Sequence, residues 1–135
     1  MVGYLTDYTN NIVLDLIFGG GAFTPPPTLY LGLSLSPPNK AGQVVEPSGG
    51  GYTRVAVPNN LTSFGKALAG VKANNIVITF PKPMGDWGLV TTLFVADAMT
   101  KGNVMAISSL TQERNITKFS DAPQVAVGAL YLSHT

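Results

Sequence analysis

The feature that most constrains the fold of this chain is a single change of hydrophobic period near residues 19–27. Before this change, apolar side chains fall close to one helical face: Leu5, Tyr8, Ile12 and Leu16. Their spacing predicts one N-terminal helix over residues 1–18. After the stretch TPPP, leucines alternate with polar or small residues in TLYLGLSLS, which predicts a strand with one apolar face.

Short strand patterns separated by proline and glycine turns fill the remainder of the chain. They occur in YTRVAV, NNIVITF, WGLVTTLFVAD, VMAISSL and VAVGALYLS, and no second helical pattern of useful length separates them. Such spacing is typical of antiparallel sheets rather than of βαβ units. The sequence therefore predicts a mainly β fold, an antiparallel, jelly-roll-like β-sandwich. We expect one domain over residues 1–135, with the sandwich in residues 28–135.

Trp87 is the only tryptophan, and it stands at the start of a predicted central strand. Because a tryptophan buries a large area, we expect it in the core. The core residues predicted to join it are Leu31, Leu33, Val55, Ile78, Phe80 and Leu93. In the alternative interpretation Trp87 is exposed beside Asp86 and stacks on a sugar ring, which makes it the candidate residue for glycan binding.

Charge is sparse in this chain. Charged residues make up 11% of the sequence, the formal net charge is +1, and 45% of residues are hydrophobic. The few lysines and arginines are isolated, so nucleic acid is not expected as a partner. No stretch approaches the roughly 18 or more apolar residues of a membrane span, so a membrane is not expected either. A surface with so little charge favours contacts between subunits, and we expect a homo-oligomer, with a trimer as the simplest set.

Three consecutive glycines occur in EPSGGGYTRVAV, residues 46–57. A phosphate cradle needs a helix after its glycines, and here a strand pattern follows. The run is therefore predicted to be a turn without a ligand. Arg54 lies opposite the apolar face of that strand, where it can pair with Glu46 or Asp86 or take part in a subunit contact.

No constellation typical of catalysis appears. His134 is the only histidine and is next to last, no G-x-S-x-G occurs, and there is no cysteine. The seven carboxylates are scattered singly, which suits neither a glycosidase pair nor a metal site. We expect no enzyme activity, no cofactor, no metal and no secretory signal.

Several stretches together resemble a known family. They are TLYLGLS, EPSGGGYTRVAV, ITFP and GDWGLVTTLFVADA, in an order that covers essentially the whole chain. The chain resembles a family of small virion proteins of tailed bacteriophages, often labelled phage tail fibre proteins. The resemblance implies a structural β-sandwich protein on the phage particle surface, made in the host cytoplasm, with no catalytic residues to carry over.

Within that class, the absence of elongated repeats favours a capsid decoration (cement) protein that contacts the major capsid protein. The alternatives are a tail fibre or baseplate component among tail proteins, and a carbohydrate-binding module for host attachment. The candidate assembly contacts are Tyr4, Leu5, Tyr8 and Arg54, together with the loop of residues 37–51. If the helix is an anchor, deletion of residues 1–18 should leave the sandwich folded.

Overall fold

The computed structural model describes residues 1–133, which form nine strands and one helix. The elements are β1 (Val2–Leu5), α1 (Asp7–Ile17), β2 (Thr28–Ser34), β3 (Val55–Pro58), β4 (Val71–Ala73), β5 (Ile78–Thr79), β6 (Gly88–Ala96), β7 (Val104–Ile116), β8 (Gln124–Val125) and β9 (Tyr131–Ser133). Within these residues, no helix is long and apolar enough to cross a membrane.

Seven strands form one curled sheet in the order β3-β2-β6-β7-β1-β9-β4, and β5 pairs with β8 in a small second sheet. Every pairing is antiparallel except that of β1 with β9, where Gly3 lies opposite Leu132. The predicted mainly β class with one short helix is confirmed. The parallel pair makes the large sheet mixed, because β9 enters beside β1 from the far end of the chain.

The main core lies between the large sheet and the β5–β8 pair, which gives the fold its sandwich-like character. Five of the six residues predicted to join Trp87 are buried there, and Val55 is half-buried at its margin. The buried five are Leu31, Leu33, Ile78, Phe80 and Leu93. Trp87 itself is 3% exposed and directly precedes β6. Alternation along each strand, which the sequence showed, turns these side chains towards the space between the two sheets.

The opposite face of the large sheet carries a smaller apolar cluster of Phe94, Ala96 and Ile107. The loop between β2 and β3 runs across this face, and its Val44 packs on the cluster. The main chain of Val45 fastens the loop, because its N–H donates to Ser34 Oγ at 3.0 Å and its carbonyl accepts from the Leu35 N–H at 2.7 Å. Both faces of the central strands are therefore covered.

The N-terminal segment differs from the prediction of a helix over residues 1–18. Residues 2–5 form β1, which lies between β7 and β9, and α1 begins only at Asp7. Backbone hydrogen bonds to strands on both sides outweigh the helical spacing, and Gly3 permits the close approach to Leu132 and Ser108. Deleting residues 1–18 would remove an internal strand, so such a deletion cannot leave this sheet intact.

Candidate assembly surface

Helix α1 is held to the sheet at its first turn by threonine hydroxyls. Thr6 Oγ1 donates to the Val104 carbonyl at 2.6 Å, and Thr9 Oγ1 donates to the Met105 carbonyl at 2.8 Å. Thr9 is the one buried residue of the helix, with Ile12 half-buried one turn further on. The N-terminal turn is thus fixed against the start of β7, whereas the C-terminal half has little cover.

That C-terminal half presents apolar side chains to solvent. Leu14, Ile17 and Phe18 are 50%, 64% and 81% exposed, respectively. Their i, i+3, i+4 spacing places them on one side of the helix. We call these three residues the outer stripe of α1. The sequence contained the signal in IVLDLIF, but helical spacing alone did not distinguish this stripe from the one that faces the sheet.

The predicted contact residues of the N-terminal segment are not brought together. Tyr4 is half-buried, packs on the cluster around Phe94, and has the Lys40 ammonium 5.6 Å from its ring centroid. Leu5, the next residue of β1, packs against the main core instead. Tyr8 lies on α1 and is exposed. Of Tyr4, Leu5 and Tyr8, only Tyr8 has an exposed side chain that a partner can contact.

Arg54, also predicted as a contact, is 5% exposed and is engaged within the chain. Its Nε and Nη2 donate to the two carboxylate oxygens of Glu46 at 2.9 and 3.0 Å. Its Nη1 donates to the carbonyls of Ala98 and Lys101 at 2.6 and 2.9 Å, and its guanidinium lies 5.1 Å from the Phe94 ring centroid. Arg54 therefore joins the β2–β3 loop to the β6–β7 turn, and we do not include it in the assembly surface.

Glu46 receives a further hydrogen bond from the Tyr52 hydroxyl, at 2.7 Å. Burial by itself raises the pKa of Glu46, but the hydrogen bonds from Arg54 and Tyr52 and the Arg54 charge outweigh it. The pKa of Glu46 therefore lies below its ordinary value of 4.5. Burial, reinforced by this carboxylate, raises the pKa of Tyr52 above its ordinary value. The carboxylate stays ionised at neutral pH and acts as the acceptor at the centre of the loop.

The glycine run of residues 49–51 forms a turn, and each of its glycines has a positive φ, between 61° and 77°. Only glycine adopts such backbone angles without strain. The Gly50 carbonyl accepts hydrogen bonds from Trp87 Nε1 at 2.8 Å and from the Met84 N–H at 2.9 Å. Tyr52 meets the Trp87 ring edge to face, with centroids 5.3 Å apart. The run thus positions the loop against the core.

The burial of Trp87 leaves no ring face available to a sugar. Its indole lies among core side chains, and its one polar atom is occupied by the Gly50 carbonyl. This placement speaks against the glycan-stacking role considered for Trp87 from the sequence.

Titratable side chains are not clustered into a reactive site in the described part of the chain. Among residues 1–133, no group of three or more histidine, cysteine, aspartate or glutamate side chains could hold a metal ion. His134 lies outside the described residues. The charged groups that do meet, Glu46 and Arg54, support a loop. The distinctive surface feature of the described residues is the outer stripe at the C-terminal end of α1.

The class of the protein comes from comparison with known families. The model of the family described as Podophage GP4 fiber I protein gp80 matches residues 4–133, and the chain belongs to that family. It is thus a member of a phage tail fibre-type family of virion proteins, as the resemblance in its sequence implied. A search among curated proteins found no match. Family membership supports a structural role in the virion and contacts with other virion proteins.

Proposed function

We propose that this protein is a non-enzymatic component of a phage tail fibre that contacts other virion proteins through the outer stripe of α1. The observation that carries the proposal is the match of residues 4–133 to a family described as a fibre protein. The exposed outer stripe supports it, because side chains such as Phe18 and Ile17 are costly to leave in water.

The sequence favoured a capsid decoration role because the chain lacks the elongated repeats of a fibre shaft. A short chain without such repeats suits a domain attached to a fibre equally well. The family description favours the fibre. We therefore keep capsid decoration as the competing outcome of the experiment below rather than as a second proposal.

The size of the outer stripe limits what it can do alone. Full burial of an aliphatic or phenylalanine side chain contributes about 1.5–3 kcal/mol, so the three residues, which are 50–81% exposed, offer roughly 3–6 kcal/mol. Association costs about 4 kcal/mol or more in lost translational and rotational freedom. A single stripe therefore gives weak binding, and stable incorporation requires several copies or further contacts.

The test is to produce phage particles from a genome in which the gene for this chain is disrupted, with the chain supplied in trans. Cryo-electron microscopy then locates the chain, and quantitative mass spectrometry counts copies per particle. We expect few copies, with density at a tail fibre. Density distributed over the head shell would support capsid decoration and overturn the proposal.

Point substitutions test the stripe without disturbing β1. Ile17→Ser combined with Phe18→Ser should lower the number of copies per particle at least tenfold, because both side chains lose apolar surface and neither is in the core. Leu68→Ser is the matched control, since Leu68 is 81% exposed in a turn remote in sequence from α1. Equal incorporation of the double variant and the control would overturn the role of the stripe.

A further inference from the structure

A cavity of about 260 Å³ opens at the edge of the main core, between the end of β7 and β8. It is lined in part by an irregular stretch of β7. Val90 is opposite Arg114 and Thr92 is opposite Ser109, so four residues of β7 face Thr91 alone. Its floor is made of buried core side chains that include Leu33, Phe80 and Leu93. The polar groups at its lining come from residues such as Gln112, Arg114 and Gln124.

Protein interiors contain few voids larger than a water molecule, and an apolar cavity of about 150 Å³ binds benzene. A cavity of about 260 Å³ with an apolar floor therefore has room for one phenyl ring. Its occupant should be an aromatic side chain that is free at the surface of a partner.

The chain carries an exposed ring on a loop that continues directly from the cavity lining. Phe119 is 84% exposed on the loop that joins β7 to β8. It is three residues from Ile116, which lines the cavity, so its Cα lies within about 10 Å of that residue. The loop is tied down by hydrogen bonds from the Thr117 N–H to Ser120 Oγ at 3.0 Å and from the Lys118 N–H to Asp86 Oδ1 at 3.2 Å.

We propose that two copies of this chain associate by exchanging Phe119, so that the ring of each copy enters the cavity of the other. Because the loop that carries the ring begins at a residue of the cavity lining, a two-fold axis beside this loop lets both contacts form together. In such a dimer both rings are buried and both cavities are filled, so no third copy can add through the same contact. It is separate from the outer stripe of α1, and it commits to a dimer where composition suggested a trimer.

Charges at the site are complementary in the same arrangement. Arg114 lines the cavity, and Asp121 follows Phe119 on the loop. Within residues 1–133 the one ion pair is Arg54 with Glu46, so neither Arg114 nor Asp121 pairs with a charged group of those residues. The two-fold exchange brings Asp121 of one copy towards Arg114 of the other, twice per dimer.

Sedimentation velocity of the purified full-length chain over a range of concentrations tests the dimer. The wild-type chain should dimerise, and Phe119→Ser should raise the dissociation constant at least tenfold, as expected for a central aromatic contact. Leu68→Ser is the control, because its side chain is 81% exposed in a turn that is remote in sequence from the β7–β8 loop. It should leave the dissociation constant unchanged, and equal melting temperatures should show that both variants are folded.

Charge exchange makes the test specific for the proposed pairing. Arg114→Asp and Asp121→Arg should each weaken dimerisation several-fold through like-charge contacts, and the double variant should recover most of the wild-type affinity. A wild-type chain that stays monomeric would overturn the proposal. A structure in which Phe119 fills the cavity of its own chain would also overturn it. A Phe119→Ser variant that dimerises as well as wild type, or a double variant weaker than both singles, would also overturn it.

Discussion

Replacement of Gly50 by alanine should destabilise the protein more than the same replacement at Gly49, two positions that sequence alone does not distinguish. Both have positive φ, 61° and 76°, so an added Cβ is strained in either case. At Gly49 the Cβ would meet no atom within 4 Å. At Gly50 it would lie 2.9 Å from Trp87 Cδ1 and 3.0 Å from the carbonyl carbon and oxygen of Gly85.

The expected magnitudes follow from these contacts. A left-handed backbone costs a non-glycine residue about 1–2 kcal/mol, which is the whole effect expected for Gly49→Ala. Overpacking adds about 1–3 kcal/mol for Gly50→Ala, since backbone atoms of Gly85 lie on one side and cannot rotate away. The total for Gly50→Ala is therefore about 2–5 kcal/mol, or more if the hydrogen bond from Trp87 Nε1 is also lost.

Urea unfolding followed by far-ultraviolet circular dichroism measures the difference, with the fluorescence of the single tryptophan as a second probe. Dichroism is the primary signal because Trp87 contacts the substituted position and its fluorescence responds locally. Gly49→Ala and Gly50→Ala of equal stability would refute the reasoning, as would a Gly50→Ala protein as stable as wild type. Either result would mean that the turn is not packed against the core as described.

Two further predictions concern the groups around this turn. Trp87→Ala should lower the free energy of unfolding by about 3–5 kcal/mol, and Trp87→Phe by less, because phenylalanine retains most of the packing. Urea titration measures both variants. An unchanged midpoint for Trp87→Ala would contradict the position of Trp87 in the core. Stability should also fall in acid, since the pKa of Glu46 is below 4.5 in the folded state and the unfolded chain takes up the proton first. The contribution of Glu46 is complete above its unfolded pKa and is lost as the pH falls through the folded value. Unfolding measured between pH 6 and pH 3 should show a shallower decline for Glu46→Gln, and identical slopes for both proteins would refute this assignment.

The sequence by itself determined the fold class, the position of the central strands and most of the core. Alternation is a local property, and it identified the apolar face of β2 and the burial of Leu31, Leu33 and Leu93. The glycine run was likewise recognised as a turn, because a strand pattern rather than a helix follows it. The stretches that resemble the fibre family were also sufficient to indicate the family that residues 4–133 match.

Only the tertiary structure decided which surfaces of those elements are exposed and which segments cover the others. Residues 2–5 have helical spacing with α1, but strands that begin about a hundred residues later pair with them on both sides. The sequence offered both Glu46 and Asp86 as partners for Arg54. In the structure the β2–β3 loop crosses the sheet and places Glu46 Oε1 2.9 Å from Arg54 Nε. The cavity is lined by residues from an irregular part of β7 that no local pattern reveals. Periodicity shows which side chains share a face, whereas what covers that face is supplied by segments distant in the chain.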